Sequence, residues 1–367
     1  MQLARRAAAS AAARRLPPCN GRRVAQMRAM AMAEAMTQGA YLVDAGWLAQ
    51  TLRLRSDGAE MARGAQLPAR DRIAVLHAAW ADGRPAANYL DGHIPGALFF
   101  DTDWLENGYP RWSLRDPAVL QQCFGACGVA ADATIVVYAD AYDAACRLWW
   151  VLRYCGAQDV RVLAGGRAGW RAAGLPLDTT PVAAGTARFD APLRTEYLAS
   201  TSDVRAALVR ADAQLIDVRT PAEYLGQRSG YAYLDCAGRI PGAINADSAN
   251  LSALLDARDC AGIAAYWAAC GVTTPASAAP GNTLPRGAGQ AAATPIFYCG
   301  SGWRSSVAML CAACLGAAAR NYCAGWCGWS TRYVPDSEAG GSTPGWRQEA
   351  TGNPIVVDPA TPHRLRR

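Results

Sequence analysis

The chain is written twice, and this repetition constrains its fold more than any other feature of its 367 residues. Three segments recur in the same order. Asp91-Gly-His-Ile-Pro-Gly-Ala97 returns as Ala237-Gly-Arg-Ile-Pro-Gly-Ala243, and Thr134-Ile-Val-Val-Tyr138 returns as Pro295-Ile-Phe-Tyr298. Gly165-Gly-Arg-Ala-Gly-Trp170 returns as Cys323-Ala-Gly-Trp326. Self-similarity of this kind marks one structural unit used twice. The separation grows from 146 residues between His93 and Arg239 to 160 between Tyr138 and Tyr298. The Pro/Ala/Gly/Thr-rich stretch 273–294 accounts for part of that growth and reads as a surface loop inserted in the second copy.

Within each copy, short apolar runs alternate with helical stretches. The runs are Ile73 to Leu76, Ile135 to Tyr138 and Val160 to Leu163, then Leu215 to Val218 and Ile296 to Tyr298. The helical stretches include Arg147 to Tyr154 and Ser305 to Leu315. Unbroken apolar strands between helices imply a parallel sheet covered on both faces. Each copy is therefore expected to be a small α/β layer domain. The boundaries are placed at 37–178 for the first domain, 179–192 for a Pro/Thr/Ala/Gly-rich linker, 193–340 for the second domain and 341–367 for a C-terminal tail.

Charge narrows the partners. Seven arginines precede the first acidic residue, Glu34, and account for the formal net charge of +6, so the remainder is close to neutral and carries no nucleic-acid footprint. Residues 1–36 form an Arg/Ala-rich extension. It is expected to be disordered or an over-extended start, since Met27, Met30, Met32 and Met36 could each initiate, with a transit peptide to an organelle as the alternative. No apolar run approaches the ~20 residues of a membrane span. Thirteen cysteines, an odd number in a chain of this size, suit reduced thiols in the cytoplasm. Cys311, Cys314, Cys323 and Cys327 have a spacing compatible with zinc. They are read instead as core thiols, because the Gly-Trp turn of the first copy lacks them.

In an open α/β sheet, reactive groups gather beyond the carboxyl ends of the strands. Cys299 is placed there. It closes the strand Ile296-Phe297-Tyr298 and opens Gly300-Ser301-Gly302-Trp303-Arg304 before a helix. A small-residue loop entering a helix can turn successive N–H groups inward as an anion cradle, which lowers a thiol from its free value of about 8.5 and makes it a nucleophile. Arg304 opposes the helix dipole and so points to an anionic partner. Trp303 is assigned to packing or to the mouth of a pocket.

These residues resemble the rhodanese superfamily, in particular its tandem-domain thiosulfate and 3-mercaptopyruvate sulfurtransferases. The resemblance runs from Tyr41 to Pro335. Its carriers are His93-Ile-Pro-Gly-Ala97, the Val-Val-Tyr strand before Arg147-Leu-Trp-Trp150, Leu215-Ile-Asp-Val-Arg219, the Cys299 loop and the Gly-Trp turns. It implies two tandem rhodanese-like domains, of which only the second is catalytic, because Ala139 stands where Cys299 stands in the second. It further implies that Arg147 reaches across the interface to the donor. The chain departs from the mercaptopyruvate pattern at Trp303-Arg304. It also carries Arg239 where His is usual, His77 where Asp is usual, and Cys323 and Gly328 where acidic residues are common.

The implied reaction is a ping-pong transfer of sulfane sulfur. Cys299 takes sulfur from 3-mercaptopyruvate or thiosulfate as a persulfide and yields it to cyanide, a small thiol or a protein thiol, without metal or organic cofactor. The loop amides of Gly300, Ser301 and Gly302, with Trp303, Arg304 and Arg147, are expected to bind the donor. His93 is assigned mainly a structural role. Two other readings compete. A phosphatase or arsenate reductase also sets Cys, a cradle loop and Arg before a helix, but with one residue more between them. A non-catalytic binding module on the same fold is the other, since fold alone does not imply activity.

Overall fold

The computed structural model describes residues 41–52, 73–81, 83–109, 112–210, 213–273, 293–336 and 345–358. The proposed N-terminal extension and nearly all of the inserted loop at 273–294 lie outside the described residues. Among the described residues, no helix is long and apolar enough to cross a membrane.

In the first domain the elements run β1 (Leu42–Val43), α1 (Ala45–Thr51), β2 (Ile73–Ala79), α2 (Ala87–Leu90), β3 (Leu98–Asp101), α3 (Pro117–Ala126), β4 (Thr134–Tyr138), α4 (Tyr142–Tyr154), β5 (Asp159–Leu163) and α5 (Gly166–Ala172). The second runs α6 (Thr201–Ala207), β6 (Ala213–Asp217), α7 (Pro221–Tyr224), β7 (Ile244–Asn245), α8 (Leu251–Asp256), α9 (Cys260–Ala269), β8 (Thr294–Tyr298), α10 (Trp303–Cys314), β9 (Arg320–Asn321) and α11 (Gly325–Ser330). Both sheets are parallel. Their orders, β1-β5-β4-β2-β3 and β7-β6-β8-β9, correspond strand by strand. The partner of β9 that would match β1 shrinks to a single bridge, Leu198 to Asn321.

The ladders equate His77 with Asp217, since these face Tyr138 and Tyr298 respectively. The tyrosines also play one role: each hydroxyl accepts from the N–H of the Ile in the Ile-Pro-Gly-Ala segment, Ile94 at 3.0 Å and Ile240 at 3.2 Å.

The Gly-Trp turns correct the register read from sequence. Gly166 and Gly325 open α5 and α11 with φ of 52° and 56°. A Cβ at either would stand 2.3 Å from a loop carbonyl, that of Ala139 or that of Gly300. Only glycine tolerates both the angle and the approach. Gly166-Arg-Ala-Gly-Trp170 therefore matches Gly325-Trp-Cys-Gly-Trp329, three residues later than the alignment of Trp170 with Trp326. The indole N–H of Trp170 donates to Pro176 and that of Trp329 to Pro354, in the same manner.

One apolar cluster spans both domains. α4 is buried along nearly its whole length, from Ala144 to Tyr154, because it packs on its own sheet with one side and on α10 with the other. The segment after α11 completes the second domain: β10 (Thr331–Asp336) pairs antiparallel with β11 (Gly345–Ala350), and Val356 bridges Arg239.

Candidate active site

Where β8 ends, the chain turns through Cys299-Gly-Ser-Gly302 into α10. Gly302 caps that helix at φ 92°, a left-handed angle that aims the first helical N–H groups back at the loop. The N–H groups of Gly300, Ser301 and Gly302 have no acceptor among the described residues. Two carbonyls of the loop are pinned from behind by α11, with Trp326 N–H on Cys299 (2.7 Å) and Cys327 N–H on Gly300 (3.0 Å). With its carbonyls held outward, the loop leaves its amides to an anion.

Cys299 is 1% exposed and forms the floor of a cavity of about 640 Å³. Ser301, Trp303 and Arg304 line it from the loop and α10, and Thr220, Glu223, Arg228, Gly230 and Tyr231 from the segment around α7. Asp143, at the start of α4, lines it from the first domain, so both domains build one site. Beneath the floor, the Ser305 hydroxyl lies 3.7 Å from the Cys299 sulfur and 2.8 Å from Asn321 Oδ1.

Arg304 lines the cavity, but its fork is not free. It donates to both oxygens of Glu223, at 2.9 and 2.7 Å, and to the Tyr231 hydroxyl. Burial would raise the Glu223 carboxyl, yet hydrogen bonds from Arg304 and Thr220 and the Arg304 charge bring it down to about 2. Burial raises the Tyr231 hydroxyl, and the nearby Cys299 raises it further. The Tyr231 ring lies so close that a Cβ on Gly300 would stand 2.0 Å from it.

Arg147 crosses the interface, but to the back of the loop. It is fully buried and does not line the cavity. Nε and NH2 donate to Glu106 at 3.0 and 2.7 Å, while NH1 donates to the Gly302 carbonyl at 3.3 Å and the Cys323 sulfur at 3.1 Å. Its expected contact with a donor is replaced by a clamp on the loop backbone, because Glu106 of its own domain holds the side chain away from the cavity. Burial raises the Cys323 thiol, and the Arg147 charge opposes that rise. Gly300 and Gly302 likewise serve the loop's shape: a Cβ on Gly302 would stand 2.6 Å from Arg147 NH1.

Of the residues named from sequence, Cys299, Ser301, Trp303 and Arg304 meet at the cavity, whereas Gly300, Gly302 and Arg147 stand behind it. Sequence reasoning missed Asp143, Glu223, Arg228 and Tyr231. The capping pattern Thr220-Pro-Ala-Glu223 was legible as a helix start, but nothing local aims its carboxylate at Arg304. His93 sits in the core of the first domain, its ring stacked 3.9 Å from Tyr89 and its Nδ1 on the Tyr89 carbonyl.

A family model described as "Rhodanese-like domain" matches residues 68–173 and 200–332. The thiosulfate sulfurtransferase YnjE of Escherichia coli is 31% identical over 270 residues, 70% of this chain and 57% of that protein. The 3-mercaptopyruvate sulfurtransferase of Escherichia coli is 34% identical over 172 residues, 45% of this chain and 59% of that protein. This chain thus spans little more than half the length of either relative. The solved structure of an anaerobic ergothioneine biosynthesis enzyme from Chlorobium limicola, in complex with its natural substrate trimethyl histidine, superposes with a TM-score of 0.65 at 30% identity. That match covers 80% of this chain and 69% of the other.

Proposed function

This chain belongs to the rhodanese-like domain family, and from that membership we propose that it is a sulfurtransferase carrying sulfane sulfur on Cys299. The observation that carries the reading is the placement of Cys299 at the floor of a cavity built by both domains, in a loop whose amides have no acceptor among the described residues. The Cys299 thiolate attacks the outer sulfur of the donor. With thiosulfate the S–S bond breaks and sulfite leaves; with 3-mercaptopyruvate the C–S bond breaks and the pyruvate enolate leaves, to be protonated. The resulting persulfide anion rests among the amides of Gly300, Ser301 and Gly302. Cyanide or a thiol then takes the terminal sulfur and regenerates the thiolate. Arg304, closed by Glu223, shapes the wall, while Arg147 holds the loop from behind.

A phosphatase reading fits less well, because an Arg fork closed by a carboxylate is withheld from phosphate oxygens. For the acceptor, Asp143, Tyr231 and Trp303 favour a second reading beside simple thiols: a small cation-bearing molecule, in line with the trimethyl histidine of the Chlorobium limicola enzyme. Twelve cysteines among the described residues are free thiols, which supports a reducing compartment such as the cytoplasm.

The test is direct. Donor-treated protein should gain one sulfur, about 32 Da, on the peptide holding Cys299. Cys299→Ser should lose both the gain and all turnover with thiosulfate and 3-mercaptopyruvate, while a phosphate ester should not turn over with either protein. Retention of more than a few per cent of the activity by Cys299→Ser would overturn the assignment.

A further inference from the structure

An anionic sulfur donor calls for a cation inside the cavity, and three arginines stand near it. Arg147 is buried behind the loop on Glu106, Gly302 and Cys323. Arg304 is closed by Glu223 and Tyr231. Arg228 differs from both: it lines the cavity, it is exposed, and it makes no ion pair or hydrogen bond with any of the described residues. We propose that Arg228 is the receptor for the donor's anionic group and selects donors whose anion stands several bonds from the transferable sulfur. This rests on the sulfurtransferase reading and names the substrate class of that site.

The loop that carries Arg228 is held while its side chain is not. Gly230, at φ 85°, lets the backbone approach so closely that a Cβ there would stand 2.0 Å from Glu223 Oε1. The Ser229 hydroxyl donates to the Tyr231 carbonyl at 3.0 Å and accepts the Tyr231 N–H at 3.3 Å. Fixed backbone and open guanidinium suit bidentate capture of a carboxylate without prior rearrangement.

Charge supports the same assignment. The charged residues lining the cavity are Asp143, Glu223, Arg228 and Arg304, and Glu223 with Arg304 forms a neutral pair. Arg228 is what offsets Asp143, so its removal leaves a cavity of net negative charge that repels an anionic donor. Depth supplies the selectivity. Cys299 lies at the buried floor and Arg228 at the exposed rim. A donor gripped at the rim must extend its sulfur inward, as the carbon chain of 3-mercaptopyruvate does. Thiosulfate carries its oxygens only two bonds from the sulfur it gives up, and at the floor it meets the loop amides instead.

Steady-state kinetics with both donors, for wild type, Arg228→Ala, Arg228→Lys and Glu223→Gln, test this, alongside mass measurement of the Cys299 persulfide. Arg228→Ala should raise KM for 3-mercaptopyruvate about two- to fivefold, the range of one exposed charge contact, and KM for thiosulfate by less. Arg228→Lys should recover most of the loss. Unchanged KM values in Arg228→Ala would overturn the proposal, and equal increases for both donors would overturn its selectivity. If Glu223→Gln, which frees the Arg304 fork, lowers KM while Arg228→Ala leaves it unchanged, the receptor is Arg304 and Arg228 is dismissed. A wild type that never acquires sulfur on Cys299 defeats the sulfurtransferase reading itself, an outcome distinct from active wild type with indifferent Arg228 variants.

Discussion

At the carboxyl end of β4 the chain reads Tyr138-Ala-Asp140, and at that of β8 it reads Tyr298-Cys-Gly300. The strands, the tyrosine hydroxyls and the helices that follow occupy the same places, yet the two loops are closed in opposite ways. In the first domain Asp140 stands where Gly300 does, and its exposed carboxylate is tied outward to Arg167 at 2.8 Å on each oxygen and to Asn88 at 2.6 Å. In the second, Gly300 adds no side chain and Gly302 turns the loop at φ 92°, where Ala141 in the first copy caps its helix at an ordinary −116°. One loop carries a carboxylate bound to side chains of its own domain, and the other carries no side chain at that position and lies open to the cavity.

The strand beside each loop differs in parallel. Asp217 and Arg219 form a fully buried ion pair at 2.6 Å, with Arg219 over the Trp326 ring and bonded to the Gly238 carbonyl. The equivalent positions in the first domain are His77 and Ala79. His77 is buried, stacked on Tyr138, and neither ring nitrogen has a hydrogen-bond partner among the described residues. Burial pushes it down to about 4. The duplicated frame tolerates a neutral or a charged filling at the same place, because the apolar strands and the Ile-Pro-Gly-Ala turn hold it in either case.

Transplanting the cysteine gives the largest effect. Ala139→Cys in the Cys299→Ser background should remain inactive, at least a thousandfold below wild type, since that loop lacks the glycine turn at φ 92° and the cavity that surround Cys299. Measurable persulfide on residue 139 would show that the two loops differ by the cysteine alone. Next in size is Arg147→Ala. It strands the buried Glu106 charge and releases the Gly302 carbonyl, so it should cost about 3–5 kcal/mol in chemical unfolding. It should also lower kcat with both donors alike, while Arg147→Lys restores part of kcat and of stability. A rise in KM for one donor alone would return Arg147 to direct substrate binding.

The smallest effect concerns His77. The folded group takes a proton only near pH 4, whereas the unfolded one does so near 6.5, so the unfolded state binds more protons between those values. Stability should therefore fall as the pH drops from 6.5 to 4, by up to about 3 kcal/mol. His77→Phe should lack that loss. Thermal melts of the two proteins that stay parallel across this window would remove His77 as the acid-sensitive point of the first domain.

Much of this protein was determined by sequence alone. Two tandem α/β units, Cys299 at a strand end and the missing cysteine of the first copy all follow from runs of a few residues, because strand burial, glycine turns and the placement of a residue at a strand end are local properties of the chain. The tertiary structure decided what those residues touch. Arg304 is closed by a carboxylate 81 positions away, and Arg147 is turned from the cavity by one 41 positions away. Asp143 and Arg228 reach the same cavity from different domains. The three-residue correction of the Gly-Trp turn came from glycine angles and carbonyl contacts that letters do not display. Ion pairs form between whichever groups the packed fold brings within reach, and that proximity is not encoded in spacing along the chain.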